Sequence, residues 1–311
     1  MRGSTILRKL LAEGRLLVKP SAFDALSAKI IERAGFNIMG ITGYGASIAM
    51  LGKADAGFLT LTEMVTLTRC VAGAVRVPVI CDADTGFGNA INVLRTTEEF
   101  IKAGAAGFHL EDQVAPKRCG HVAGKELISL EEAVGKIRAA DRVRRELDPD
   151  FLLIARTDAR GAVGGGIDET IRRGRAYMEA GADMIFPDGI SDIKELESCV
   201  QGIGAPIHHN MAVLSGSDHT SLSKLEAMGV SIVSNPAGLL RAAIRAMWDY
   251  AHGFAAHGTR YMETAEQELS GHPTANLHEF VGFPEIRRLE EEFLPKAEVA
   301  RRYAHSLGFK P

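Results

Sequence analysis

Val77-Pro78-Val79-Ile80-Cys81-Asp82-Ala83-Asp84-Thr85-Gly86-Phe87-Gly88-Asn89 joins three signals in one short stretch. The apolar run reads as a buried strand. Two carboxylates stand at its C-terminal end, and a glycine-rich turn leads into a helical pattern. Residues i and i+2 of an extended chain point the same way, so Asp82 and Asp84 aim at one spot. Two like charges that close repel unless a cation lies between them. A hard divalent ion held by one or two carboxylates, water and substrate suits that place. Taken alone, the pair reads equally well as an acidic turn that caps the next helix.

Outward from this stretch the same strand–turn–helix unit recurs. Strands are predicted over 14–20, 36–41, 77–83, 107–110, 151–155, 183–187, 206–209 and 230–234. They alternate with helices over 22–34, 62–75, 92–103, 130–147, 168–180, 193–200, 221–228 and 237–254. Several helices stop at a glycine just before the next strand (Gly35, Gly104, Gly181, Gly229), a common C-terminal cap. Regular alternation implies a parallel sheet, and eight units imply an α/β fold of the closed (β/α)8 TIM-barrel type. A doubly wound open sheet is the alternative, weakened because no G-x-G-x-x-G opens a helix after the first strand. The barrel is assigned to 1–256 and a helical extension to 257–311, with helices over 261–269, 284–294 and 296–307. The apolar segment from His278 to Pro284 is expected to pack on the barrel or on a neighbouring subunit.

In a barrel of this kind, reacting groups come from the C-terminal ends of the strands. Those ends hold Thr42, Gly43, Tyr44 and Gly45, read as a loop, then Asp82, Asp84, Glu111, Arg156, Asp188, Asn210 and Asn235. Carboxylates, amides and an arginine on one rim describe a metal site with an anion-binding group beside it. Cys119 lies in the polar loop Lys117-Arg118-Cys119-Gly120-His121, between cations that lower a thiol's pKa and in a setting that exposes it. An incidental loop cysteine is the bland alternative. Zinc is disfavoured, because Cys119 and His121 lack a second pair at ligand spacing. Cys70, Cys81 and Cys199 fall in helical or strand patterns and are expected inside.

A chain of 311 residues with 46% hydrophobic and 24% charged residues can bury a large core. A net charge of -3 gives no electrostatic case for nucleic acid or an anionic membrane. No apolar stretch approaches the roughly 20 residues that span a bilayer, and the first residues lack the apolar core of a signal peptide. Four scattered cysteines without a C-x-x-C pair suit a reducing cytoplasm, so a cytoplasmic protein is expected.

Three motifs in order, Asp82-Ala83-Asp84-Thr85-Gly86-Phe87-Gly88, Leu110-Glu111-Asp112-Gln113 and Lys117-Arg118-Cys119-Gly120-His121, resemble those of the isocitrate lyase / phosphoenolpyruvate mutase superfamily. The resemblance runs from about Asp24 to Arg241, most of the chain. It implies an α/β barrel with C-terminal helices swapped between subunits of a homotetramer, a dimer of dimers. The cysteine loop is similar to that of the C–C lyases and differs from the phosphonate enzymes. The stretch from Thr42 to Gly52 resembles the alkylmalate and dimethylmalate branch. Asp188, where methylisocitrate lyases carry glutamate, and Val122-Ala123-Gly124-Lys125 after the histidine point away from tricarboxylate recognition.

The resemblance implies cleavage of a 2-hydroxy dicarboxylate, such as 2,3-dimethylmalate, another 2-alkylmalate or methylisocitrate, to a 2-oxo acid and a carboxylic acid. An oxaloacetate hydrolase or decarboxylase, or a phosphonate mutase, is the alternative. It implies Mg²⁺, with Mn²⁺ as a substitute, held by Asp84 directly and by Asp82 and Glu111 through water. Cys119 is the expected general acid, Arg156 and His121 stabilise the departing carboxylate carbanion, and Tyr44 helps deprotonate the 2-hydroxyl. Asp55 matches an active-site aspartate on a gating loop. Backbone N–H groups from Thr42 to Gly45 are expected to hold the oxo-acid carboxylate. Gly120 and Asp188 are also expected to line the substrate, and Asn210 and Arg241 to meet its far end.

Overall fold

The structure, a computed structural model, describes residues 1–190, 192–211, 220–304 and 307–309. Eight parallel strands close into a barrel in chain order: β1 (Leu17–Ala22), β2 (Met39–Ile41), β3 (Val79–Asp82), β4 (Gly107–Glu111), β5 (Leu152–Thr157), β6 (Met184–Pro187), β7 (Ile207–Asn210) and β8 (Val230–Asn235), with β8 pairing back to β1. The barrel predicted from the alternation of strands and helices is the one found. Every residue of β3, β4, β5 and β6 is buried, because side chains on one face fill the barrel and those on the other meet helices. This explains why these strands read as continuous apolar runs.

The helices are α1 (Gly3–Ala12), α2 (Ala25–Arg33), α3 (Gly43–Leu51), α4 (Leu61–Ala74), α5 (Ala90–Lys102), α6 (Leu130–Leu147), α7 (Ile167–Glu179), α8 (Ile193–Ile203), α9 (Leu222–Met228) and α10 (Gly238–His257). Local chemistry fixes many starts. Asp24 and Ser27 form a reciprocal cap on α2, and Thr60 and Glu63 do the same on α4, each satisfying two otherwise orphaned N–H groups.

Two elements differ from the sequence reading. The first strand begins at Leu17 rather than at residue 14, because the chain before it forms α1. Leu7 of α1 joins Leu17, Ile38, Ile80, Leu152, Ile154, Met184 and Ile232 in one interior cluster, with Leu10 and Leu11 packed against it. Helix α1 therefore closes the barrel floor, tied down by Ser4 Oγ donating to Asp148 (2.8 Å) and Arg8 Nη2 to Asp183 (2.8 Å). Second, Thr42 to Gly45 is not a loop. Strand β2 stops at Ile41, and Thr42 caps a helix beginning at Gly43.

The chain forms two compact units, 1–242 and 243–311, divided within α10. Within the second, α11 (Thr259–Glu268), α12 (Leu277–Val281), α13 (Phe283–Phe293) and α14 (Lys296–Ala304) follow. Arg302 on α14 donates to Glu290 on α13 at 3.0 Å. The helix expected over 296–307 is found to Ala304; residues 305 and 306 lie outside the described residues.

Candidate active site

The alternation that turns Ile80 into the barrel also turns Asp82 inward, since the two are i and i+2 on one strand. The same rule carries His109 and Glu111 on β4, Ile154 and Arg156 on β5, and His208 and Asn210 on β7. The C-terminal rim is thus the polar continuation of an apolar interior. Asp84 reaches it differently from expectation. Strand β3 ends at Asp82, and Asp84 sits in the left-handed region at φ 44°, a conformation that aspartate tolerates better than most residues. Its N–H donates to Asp82 Oδ1 at 3.0 Å and its carbonyl accepts from Glu111 N at 2.9 Å. The two carboxylates still face one spot. A Cβ added to Gly43 would lie 2.7 Å from Asp82 Oδ2 and 3.4 Å from Asp84 Oδ1, so only glycine fits opposite them.

Electrostatics separates the three acids. Asp82 accepts from Gly43 N at 3.1 Å and has His109 Nδ1 at 3.4 Å. Burial works against its charge, but Lys117, Arg156 and the hydrogen bond from Asp84 N–H outweigh it and hold the carboxyl well below its usual range. His109 itself is pushed down to about 3 by burial and is neutral at neutral pH, so Lys117 and Arg156 keep Asp82 ionised. Asp84 goes the other way, raised to about 6 by burial and then by the charges of Asp82 and Asp55. Glu111 is raised well above its usual value by burial, and its Oε1 has no hydrogen-bond partner among the described residues. Lys117, 4% exposed, places its ammonium 2.7 Å from Asp55 and 2.8 Å from Asp84.

Two carboxyls raised chiefly by burial and one orphaned buried oxygen mark a site that a further cation would suit. Among the described residues no three of His, Cys, Asp and Glu form a closed metal cage. The donor set therefore fits an ion that keeps several waters, as Mg²⁺ does, better than one fully wrapped by protein.

Arg156, 8% exposed, is the other pole. It grips Asp158 through Nε and Nη2, both at 2.9 Å, donates to Asp188 at 2.8 Å and lies 3.1 Å from Glu111. The cysteine loop folds over it. Gln113 clamps Arg118 by accepting from its N–H and donating to its carbonyl, both at 2.9 Å. Cys119 N donates to the Asp55 carbonyl at 3.1 Å. A Cβ on Gly120 would overlap Asp188 Oδ2 and come within 2.6 Å of Arg156 Nη2, so this turn packs directly on the arginine. The Cys119 thiol is half-buried, and burial pushes its pKa up, against the pull of the His121 N–H, Arg156 and Lys117. This corrects the expectation of a lowered thiol pKa, because the fold desolvates the loop more than its cations compensate. Cys70, expected inside, is exposed on α4, whereas Cys81 and Cys199 are buried.

The rim thus gathers Asp55, Asp82, Asp84, Glu111, Cys119, Gly120, Arg156 and Asp188. Asn210 joins them, with Nδ2 3.3 Å from Asp188 Oδ1, and His121 is near enough to Asp188 to lower its pKa, together with Arg156, against burial. Tyr44 is 38% exposed in the first turn of α3. Of the N–H groups there, Thr42 donates to the Ala22 carbonyl, Gly43 to Asp82 and Gly45 to its own cap Thr42. Only Tyr44 N–H has no partner among the described residues, so the stretch expected to hold a carboxylate is a helix N-terminus rather than an open nest. Arg241 stands exposed on α10, without a polar side-chain contact to the rim among the described residues. Asn235 accepts from Gly238 N at 3.0 Å and serves as a helix cap. Four further groups escaped the sequence reading: Lys117, His109, Lys125 and Asp158. Asp158 was signalled only by its place two residues beyond Arg156 on the same strand end.

A closed (β/α)8 barrel with an acid cluster, a buried arginine and a thiol loop on its C-terminal rim defines a barrel enzyme class that handles small carboxylates. The phosphoenolpyruvate phosphomutase family model matches residues 7–255, and the chain belongs to that family. It is 46% identical over 255 residues to 2,3-dimethylmalate lyase of Eubacterium barkeri, covering 80% of this chain and 85% of that relative. It is 36% identical over 297 residues to 2-methylisocitrate lyase of Aeropyrum pernix, covering 96% and 93%. A crystal structure of 2,3-dimethylmalate lyase superposes with a TM-score of 0.87 at 31% identity, covering 99% of each chain. Phosphonopyruvate hydrolase, solved with oxalate and Mg²⁺, superposes with a TM-score of 0.83 at 31% identity, covering 95% and 100%.

Proposed function

We propose that this protein is a Mg²⁺-dependent C–C lyase that cleaves a 2-hydroxy dicarboxylate, with 2,3-dimethylmalate the favoured substrate, to pyruvate and propionate. The observation that carries this reading is the packing of the Cys119–Gly120 turn directly onto Arg156 and Asp188, which sets a protonated thiol beside a buried cation and an acid cluster. The 46% identity to a dimethylmalate lyase supports the choice of substrate.

Asp84, Asp82 and Glu111 would hold the metal, Asp84 directly and the others through water. Bound there, Mg²⁺ would supply the Lewis acidity that favours ionisation of the 2-hydroxyl. The N-terminus of α3, where Tyr44 N–H has no partner among the described residues, would orient the carboxylate that becomes pyruvate. Tyr44 would help deprotonate the 2-hydroxyl. As the C2–C3 bond breaks, charge grows on the carboxylate that becomes propionate. Arg156, fixed in place before the reaction, stabilises that charge without reorganising, with His121 assisting. Cys119 then gives its proton to carbon, and its raised pKa keeps that proton on sulfur until it is needed. Lys117 holds Asp55 and Asp84 together while the loop is closed. Asn210 and, more remotely, Arg241 would meet the far end of the substrate.

A cytoplasmic homotetramer with swapped C-terminal helices is part of the same reading. Exposed Met247, Trp248, Leu277 and Phe293 in the second unit support burial of that unit in an assembly. No described helix is long and apolar enough to cross a membrane. The test is release of 2-oxo acid from 2,3-dimethylmalate, methylisocitrate, oxaloacetate and phosphonopyruvate, each with Mg²⁺ and with EDTA. Pyruvate from 2,3-dimethylmalate, lost with EDTA, is the expected result. Turnover of phosphonopyruvate or oxaloacetate alone would replace the reading.

A further inference from the structure

Lys125 is charged, 3% exposed and outside the chemistry described so far. Its main chain is fixed from both sides. Val163 N donates to its carbonyl at 3.0 Å, and the neighbouring residues bridge Gln113 to Leu127 and Val114 N to the Glu126 carbonyl. From that anchored base its ammonium reaches back to donate to the carbonyl of Gly120 and lies 3.6 Å from Asp158 Oδ1. Asp158, fully buried, is the residue that holds the Nε–Nη2 edge of Arg156 with both of its carboxylate oxygens. Asp158 is itself fixed, its N–H donating to Asp112 Oδ1 at 3.0 Å, while Asp112 Oδ2 accepts from Thr157 and Tyr177, both at 2.7 Å.

The other ties on the cysteine loop run elsewhere. Lys117 and the Cys119 N–H bind Asp55 and Asp84, and Gln113 binds Arg118. Among the described residues, Lys125 is the side chain that joins the tip of the loop to the carboxylate that orients the arginine.

We propose that Lys125 is a positioning residue: its buried ammonium latches the Gly120 carbonyl to Asp158, and so sets the Cys119 thiol in register with Arg156. Its catalytic consequence rests on the lyase reading, but the latch does not. A buried ammonium has few partners that satisfy it, and here they are one loop carbonyl and the carboxylate cluster of the arginine. Movement of either group is therefore felt by the other, in the way that outer contacts commonly set the geometry of reacting ones.

The test is iodoacetamide alkylation of the full-length protein, followed by mass spectrometry of each cysteine peptide. Exposed Cys70 is the internal reference, and buried Cys81 and Cys199 report unfolding. In Lys125→Met, alkylation of Cys119 relative to Cys70 should rise at least fivefold while Cys81 and Cys199 stay protected. Lys125→Gln, which can still donate to Gly120, should fall between. If Lys125→Met also exposes Cys81 or Cys199, the comparison passes to Lys125→Gln. An unchanged Cys119-to-Cys70 ratio in the folded variant overturns the latch. With a 2-oxo acid assay in parallel, kcat should fall about tenfold or more with KM changed less. Failure of the wild type to release any 2-oxo acid would overturn the lyase reading and leave the alkylation result to decide the latch.

Discussion

Gly120→Ala adds one methyl group where the cysteine loop meets Asp188 and Arg156. Gly120 is not in the left-handed region, so alanine costs the backbone nothing there, and any effect comes from contact. The new carbon would overlap Asp188 Oδ2 and lie 2.6 Å from Arg156 Nη2, where ordinary contact needs about 3.5 Å or more. Two responses can clear it. If Asp188 yields, its 2.8 Å pair with Arg156 breaks, and disrupting a buried pair typically costs about 3–5 kcal/mol. If the loop backs away by about 1 Å, the Cys119 thiol goes with it, and a misplacement of that size costs on the order of 10²-fold in rate. The second route predicts a fall of about 10²-fold in kcat/KM, near 2.7 kcal/mol of transition-state stabilisation, and the first predicts a fall at least as large. The assay is pyruvate release from 2,3-dimethylmalate, coupled to lactate dehydrogenase. Gly73→Ala, on an open face of α4 with nothing within 4 Å of the new carbon, should leave the rate unchanged. A Gly120→Ala enzyme within threefold of wild type would refute the packing of this turn on Arg156.

Other outcomes follow from the same geometry. Arg156→Lys removes the bidentate grip on Asp158 and should lower kcat by about 10²–10³-fold, measured at saturating substrate. Asp84, raised to about 6, favours the protonated folded state, so its contribution to stability falls as pH rises from about 4 through 6 and stays low above that, a loss of roughly 3 kcal/mol. Asp84→Asn should therefore raise Tm in EDTA at pH 7.5, by about 2–5 °C after the lost Lys117 contact is allowed for, with the gap closing toward pH 5. A lower Tm for the variant at pH 7.5 would contradict this. Leu7→Ala opens the barrel floor and should cost about 2–5 kcal/mol in urea unfolding; a loss below 1 kcal/mol would mean that α1 does not seal it.

The barrel was legible because strands buried on both faces leave apolar runs, and glycine caps punctuate them at a steady interval. The rim residues were legible for the same reason, since the inward register of β3, β4 and β5 can be counted forward to Asp82, Glu111 and Arg156. What stayed hidden depends on contacts far apart in sequence. The apolar residues of α1 find their partners only at the floor of a completed barrel. Helix α3 begins at Gly43, in a stretch of Gly-x-Gly that carries loop signals, and its start is fixed by Thr42 and by Gly43 N donating to Asp82 on a distant strand. The Cys119 environment was misread because neighbouring cations are visible in sequence and burial is not. Lys125 and Asp158 are ordinary charges until folding pairs them beside the Gly120 carbonyl.

The most direct measurement of the central claim is cleavage of 2,3-dimethylmalate in D₂O with Mg²⁺, for the wild type and Cys119→Ala, with both products followed by NMR. The account predicts pyruvate and propionate carrying one deuterium at C2 from the wild type, and loss of turnover in the variant, which still folds. Pyruvate formed by Cys119→Ala at the wild-type rate would contradict it and remove the thiol as the proton donor.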